Sequence, residues 1–141
     1  MSSPITIVDI ALIQLRTAVQ SYNKNNYISA ITLAGAADEI LGQIARKESD
    51  TDAALDEKVW LDQITDYFYK PRLPLNKILK SRNKVKNQLK HNDSGINIEI
   101  KHDFKFEAET FILGAIRNYE LITGHMPKDR TIISFWKWIS P

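Results

Sequence analysis

The spacing of apolar residues constrains this chain most, because it follows the period of an α-helix through most of the sequence. The pattern predicts helices over residues 6–23, 27–47, 51–69, 75–90, 104–123 and 131–139. The centre of the second segment, "AITLAGAADEILGQIA", is dense in Ala and Gly. Small side chains let neighbouring helices approach closely, although each Gly costs about 1 kcal/mol of helix propensity relative to Ala. We therefore expect an all-α protein with this segment as its buried central helix.

Short signals at the ends of these segments predict where helices begin and stop. Pro71 and Pro74 cannot continue the third helix. Asp103 is a suitable N-cap for the fifth helix, and Gly124 closes it. No repeat, low-complexity tract or linker interrupts the pattern. The sequence predicts one domain over residues 1–141, a helical bundle of four to five main helices with a short C-terminal helix.

Residues 96–102 depart from the helical period. Ile96, Ile98 and Ile100 alternate with polar side chains, which is the pattern of a strand. No second segment offers a convincing partner strand. We therefore expect an extended arm near residues 96–102 that lies on the helices or pairs across a dimer.

The last predicted helix, "TIISFWKWI", carries three aromatic residues, Phe135, Trp136 and Trp138. Aromatic side chains bury large apolar areas, so such a helix commonly docks on a core. We expect these residues to form a cap on the bundle, and a ligand cage is the alternative.

Composition excludes several functional classes. The chain has no cysteine, which removes disulfides, thiol nucleophiles and zinc–thiolate sites. Its three histidines, His91, His102 and His125, are too scattered to suggest a metal site, and no catalytic motif implies a cofactor. The N-terminal residues lack the basic start of a signal peptide, and no window approaches the roughly 18 apolar residues of a spanning helix. We expect a cytoplasmic protein without a membrane partner.

The net charge of +2 conceals a strong segregation of charge along the chain. Residues 70–91 hold eight Lys or Arg and no acid, whereas residues 48–66 hold seven acids and only Lys58 as a base. One interpretation is that neighbouring helices pair these charges. The other is an anion-binding face, because clustered Lys and Arg attract phosphates.

The segment "KNQLKH", residues 86–91, resembles the Arg-Asn-x-x-x-His signature of the HEPN family (higher eukaryotes and prokaryotes nucleotide-binding). In that family the Arg, four to six further residues and the His close a helix of an all-α bundle. Lys86 stands here in place of the Arg. The segments "LAGAADEILGQ" and "EAETFILGAIRNYELITG" are similar to parts of an uncharacterised bacterial group with HEPN-like organisation, so the resemblance extends over most of the chain.

The resemblance implies an RNA-related function, since active HEPN members are metal-independent ribonucleases. Carried over, Lys86 would contact phosphate, Asn87 would support it and His91 would serve as the acid–base group. Lys supplies charge but not the planar fork of Arg, which favours a non-catalytic or weakly active module that binds RNA or nucleotide phosphates. The candidate phosphate-binding residues are Lys77, Lys80, Arg82, Lys84 and Lys90. An endoribonuclease of a toxin or defence system and a helical interaction module with an acidic protein partner are the alternatives.

Helix geometry adds two expectations. Five residues rotate by about 140° on an ideal helix, so Lys86 and His91 share one anion site only if the helix frays or a homodimer completes the site. His91 is also in a position to interact merely with the helix dipole. Arg82 falls on an apolar stripe, so we expect it to snorkel or to pair with an acid, Asp38 or Glu39.

Overall fold

The computed structural model describes residues 3–48 and 103–139, and these form four helices without a strand. The helices are α1 (Ile7–Asn23), α2 (Tyr27–Glu48), α3 (Phe104–Thr123) and α4 (Arg130–Ile139). The all-α fold class is therefore confirmed, and the bounds of these four helices lie within one residue of the predicted ones. The helices predicted over 51–69 and 75–90 and the arm near 96–102 lie outside the described residues.

Helix α2 packs against both α1 and α3, as its small residues predicted. Its buried face consists mainly of alanines, among them Ala30, Ala34 and Ala37, which are fully inaccessible to solvent. The larger side chains of the core come mostly from its neighbours; Leu15 on α1 and Ile116 on α3 are also fully buried. The small side chains of α2 thus let α1 and α3 both pack closely against it.

Helices α2 and α3 lie close together at Gly42. A Cβ atom added there would stand 3.2 Å from Nδ2 of Asn118, which is tighter than ordinary packing. The same amide nitrogen donates a hydrogen bond of 2.9 Å to Oδ1 of Asp38, one turn earlier on α2. The glycine therefore has a packing role that offsets its poor helix propensity.

Side-chain caps hold the helix ends. Thr6 accepts a hydrogen bond from the amide of Asp9, and Asp103 accepts one from the amide of Phe106. Gly124 follows α3 with φ of 77°, a left-handed conformation that glycine adopts without steric cost. The predicted roles of Asp103 and Gly124 are confirmed.

Helix α2 also meets the length and composition of a membrane-spanning helix over Tyr27–Lys47, the one such span found in the described residues. Its most apolar window has a mean hydropathy of 1.2, and 44% of that window is buried inside the structure. The sequence expectation that no window approaches a spanning helix is therefore wrong by this measure. The core helix of a soluble protein has the same properties, and α2 packs against two other helices.

Candidate functional site

The site residues predicted from the basic segment all lie between 77 and 91, outside the described residues. They are His91, Lys86, Asn87, Lys77, Lys80, Arg82, Lys84 and Lys90. Their surface, any pairing with the acids of 48–66 and a composite dimer site therefore stay predictions. Within the described residues, a candidate site lies elsewhere, at the end of the bundle where α4 docks.

The acids proposed as partners of Arg82 are described, and they differ in exposure. Asp38 is half-buried and accepts the hydrogen bond from Asn118. Glu39, the next residue, is exposed. Of the two, Asp38 lies nearer the core, at the seam between α2 and α3. The predicted contact with Arg82 lies outside the described residues.

An aromatic cleft of about 270 Å³ opens between the α1–α2 turn, the start of α3 and helix α4. Four aromatic side chains line it: Tyr22, Tyr27, Phe135 and Trp138. Its polar lining consists of Asn23, Asn25, Lys105 and Ser134. We call these eight residues the aromatic cleft.

The rings of the cleft meet mostly edge to face around Tyr22. The ring centroid of Tyr22 lies 5.3 Å from that of Phe135 at 88°, and 5.5 Å from that of Tyr27 at 61°. Trp138 is 6.0 Å away and tilted. Such arrangements fit the quadrupole of aromatic rings and hold them in place. The wall of the cleft is therefore preformed.

Burial differs sharply along this wall. Phe135 and Tyr22 are 4% and 6% exposed, whereas Trp138 is 62% exposed and Trp136 is 37% exposed. The expected aromatic cap is thus confirmed for Phe135 and only partly for Trp138, which contacts Tyr22 and Phe135 but stays mostly exposed. On a short amphipathic helix, Phe135 faces the core, and Trp138, three positions later, lies at the edge of that face. Trp138 contacts the cleft with part of its ring and presents the rest to solvent.

A buried hydrogen bond fixes the base of the cleft. The hydroxyl of Tyr22 donates to Oε2 of Glu109 over 3.2 Å. Burial raises the pKa of the Tyr22 phenol well above its usual range, and the Glu109 carboxyl adds to this. Burial also raises the pKa of Glu109, although the Tyr22 hydrogen bond and the Lys105 charge act against it. Both groups thus favour their protonated forms more than they would in water.

The rim of the cleft carries one charge and several amides. Nζ of Lys105 lies 6.0 Å from the ring centroid of Trp138, within cation–π range. Among the lining residues that the structure describes, Lys105 is the only charged one. Asn25, at φ of 62°, sits in the tight turn before α2, and its Oδ1 accepts a 3.0 Å hydrogen bond from the Tyr27 hydroxyl. The opening is therefore cationic and rich in amide groups.

Asp129 ties α4, the outer wall of the cleft, to the bundle. Its Oδ1 accepts hydrogen bonds from the amides of Thr131 and Ile132, at 2.9 and 3.2 Å, and so caps the start of α4. Its Oδ2 pairs with Arg16 on α1. Burial of Asp129 opposes ionisation, but the hydrogen bonds from Arg16 and the two amides outweigh it and lower its pKa. One carboxylate thus positions the helix that carries Trp138.

The sequence pattern indicated the aromatic residues of α4 but did not indicate Tyr22, Tyr27 and Lys105 as members of a site. A local signal exists for the tyrosines, since "YNKNNY" places them on either side of a turn. Lys105 and Trp138 give no local signal, because helix docking alone brings these distant positions together.

Other features of the described residues are less suited to binding a ligand. The side chains of Ile7, Ile10 and Ile13 stay exposed along α1. His125 lies in the loop after α3, and its Nδ1 is 2.9 Å from the carbonyl oxygen of Met126. Within residues 3–48 and 103–139, no three His, Asp or Glu side chains form a group that could hold a metal ion.

Comparison of the chain with protein-family models, with curated proteins and with solved structures finds no match. The class that the fold and the site define is therefore an all-α helical bundle with an aromatic, cationic cleft at one end.

Proposed function

We propose that this chain is a HEPN-like module that binds RNA or nucleotide phosphates without efficient catalysis, as a cytoplasmic homodimer. The observation that carries this proposal is the uninterrupted basic segment, residues 70–91, with eight Lys or Arg and no acid. Clustered cations of this kind bind phosphates by releasing counterions. The all-α fold is compatible with the HEPN resemblance, and Lys86 in place of the family's Arg argues against strong catalysis.

The test is RNA binding as a function of salt. Fluorescence anisotropy with a labelled single-stranded RNA should show affinity that falls steeply as salt rises from about 50 to 200 mM. A variant with Lys77, Lys80, Lys84 and Lys90 changed to Gln should bind weakly and with a smaller salt dependence. Changing four lysines elsewhere, Lys24, Lys47, Lys128 and Lys137, gives a control of equal net charge. Binding that is absent, or equally weakened in both variants, contradicts the proposal.

Ribonuclease activity is the first alternative, and it has a separate signature. Cleavage of RNA that survives EDTA and disappears in His91→Ala would make this protein a metal-independent endoribonuclease. Lys86→Arg, which restores the family's residue, should then raise the cleavage rate. We expect binding without cleavage in the wild-type protein.

The second alternative is the helical interaction module whose basic helix meets an acidic protein partner, and the exposed isoleucines of α1 offer a further, apolar surface for such a partner. Ile7 is 55% exposed and Ile13 is 47% exposed, on a helix whose other face packs in the core. A large apolar strip commonly marks a protein interface. Sedimentation at several protein and sulfate concentrations distinguishes the cases. In the proposed homodimer the positive charges of two basic segments repel each other, so sulfate should tighten it, whereas an apolar interface depends far less on the anion.

A further inference from the structure

We propose that the aromatic cleft binds one unpaired nucleotide, with its base stacked on Trp138 and its phosphate near Lys105. This inference rests on the proposed function and adds a second, structurally separate contact to it. The basic segment would hold the RNA backbone by charge, whereas the cleft would hold a single base by its flat face. A free mononucleotide and a nucleotide within single-stranded RNA share this chemistry.

The exposure of Trp138 points to a stacked ligand. Packing accounts for Phe135 and Tyr22, which are almost fully buried, but it does not account for a tryptophan that is 62% exposed beside an open cleft. Proteins bind single-stranded nucleic acids by stacking bases on such aromatic rings, because every base has a π-face. The Trp138 ring also contacts the buried rings of Tyr22 and Phe135, at centroid distances of 6.0 and 6.4 Å, and these contacts position it as a stacking platform.

The positive charge of Lys105 at the rim of the cleft favours a negatively charged ligand. Nζ of Lys105 lies 6.0 Å from the Trp138 ring centroid, so a group stacked on the ring would have a cation within reach. The described lining contains no carboxylate; Glu109, outside this lining, accepts the hydrogen bond of the Tyr22 hydroxyl. An anionic ligand is therefore favoured over a cationic or neutral one.

The size of the cleft and its amide groups fit a single base. A volume of about 270 Å³ lies just below the range of roughly 300–1,000 Å³ that is typical of sites for drug-sized ligands, so the cleft suits the base of one nucleotide, with the phosphate at the rim near Lys105. Asn23 and Asn25 line the same cleft, and each side-chain amide has both donor and acceptor atoms. These are the groups that recognise the hydrogen-bonding edge of a base.

Tryptophan fluorescence titrated with AMP, adenosine and ribose 5-phosphate tests this site in the full chain. We expect AMP to quench most strongly, adenosine less and ribose 5-phosphate not at all. Quenching should be lost in Trp138→Leu and retained in Trp136→Leu, a control two residues away on the same helix. In Lys105→Gln, AMP should bind no better than adenosine. Thermal melts of each variant verify that the fold is retained.

The corresponding RNA experiment separates this inference from the proposed function. Single-stranded RNA should bind Trp138→Leu about tenfold more weakly than the wild type, and Trp136→Leu with wild-type affinity. Salt-dependent RNA binding that is equal in both variants, with no AMP quenching, overturns the cleft and leaves the proposed function intact. AMP quenching that requires Trp138, without salt-dependent RNA binding, keeps the cleft as a mononucleotide site and overturns the proposed function.

Discussion

The two ends of helix α2 are packed in opposite ways. Around Gly42 and Ala45, small residues let α3 approach closely, and the seam is closed by a direct hydrogen bond between Asn118 and Asp38. Near Tyr27, large aromatic residues meet edge to face and leave an open cleft. Small side chains thus build a closed core, whereas large rings at a bundle end leave space that a ligand can occupy. Stability and binding are therefore expected to depend on different ends of the molecule.

The largest loss of stability should come from mutations in the closely packed part of α2. Leu41→Ala removes a fully buried side chain from α2 and should cost about 2–5 kcal/mol of unfolding free energy. Trp138→Ala removes a larger but mostly exposed side chain and should cost much less. Urea unfolding of both variants measures the difference. Equal losses of unfolding free energy would show that the aromatic end contributes to the core as much as the contacts of α2 with α1 and α3.

Gly42→Leu should come next, with a loss of about 1–3 kcal/mol, because its side chain would overpack the contact with Asn118. The neighbouring Gln43 is exposed, so Gln43→Leu on the same helix is the matched control and should change stability by only about 0.5 kcal/mol. If Gly42→Leu is tolerated equally well, the helices are not held as closely as this structure describes.

Asp129→Ala should cost about 1–2 kcal/mol, because it removes both an N-cap and a partly exposed ion pair with Arg16. Asp129→Asn keeps a capping side chain and should lose only the smaller, ionic part. Because the folded-state pKa of Asp129 is lowered, its contribution is present above the ordinary pKa and is lost as pH falls through the folded value. Chemical denaturation of the three proteins from acidic to neutral pH measures this. An Asn variant as unstable as the Ala variant would contradict the capping role.

The smallest predicted effect on stability concerns Glu109. Its contribution changes with pH in the direction opposite to that of Asp129. Its folded-state pKa is raised, mainly by burial, so the native state holds a proton more tightly than the unfolded chain. Stability should therefore fall as pH rises from the ordinary value of 4.5 through the raised one. Glu109→Gln still accepts the Tyr22 hydrogen bond but cannot ionise, and it should lose this part of the pH dependence. Identical pH profiles for the two proteins would contradict the assignment.

Local patterns were sufficient to predict much of the described fold. Helical spacing and the capping residues Asp103 and Gly124 predicted the bounds of α3, and the Ala-rich segment predicted the central helix. These features depend on neighbours three or four positions apart, which a sequence displays directly.

The candidate site was harder to predict from the sequence, because its residues lie far apart along the chain. Lys105 and Trp138 meet only when α4 docks, and the docking residue Asp129 pairs with Arg16 from the other end of the chain. The aromatic pattern of α4 predicted docking but could not distinguish the buried Phe135 from the exposed Trp138, which depends on how far the helix extends beyond the core.

The salt dependence of RNA affinity in three proteins tests the proposed phosphate binding most directly. The comparison uses the wild type, Trp138→Leu and the variant with Lys77, Lys80, Lys84 and Lys90 changed to Gln. We predict that Trp138→Leu lowers affinity at every salt concentration and reduces the slope of log K against log salt by at most about 0.7, the share of the one phosphate near Lys105. The lysine variant should reduce that slope by about 0.7 for each phosphate that the protein no longer neutralises. A slope near zero in the wild type, or one that is the same without the four lysines, would contradict phosphate binding through the basic segment.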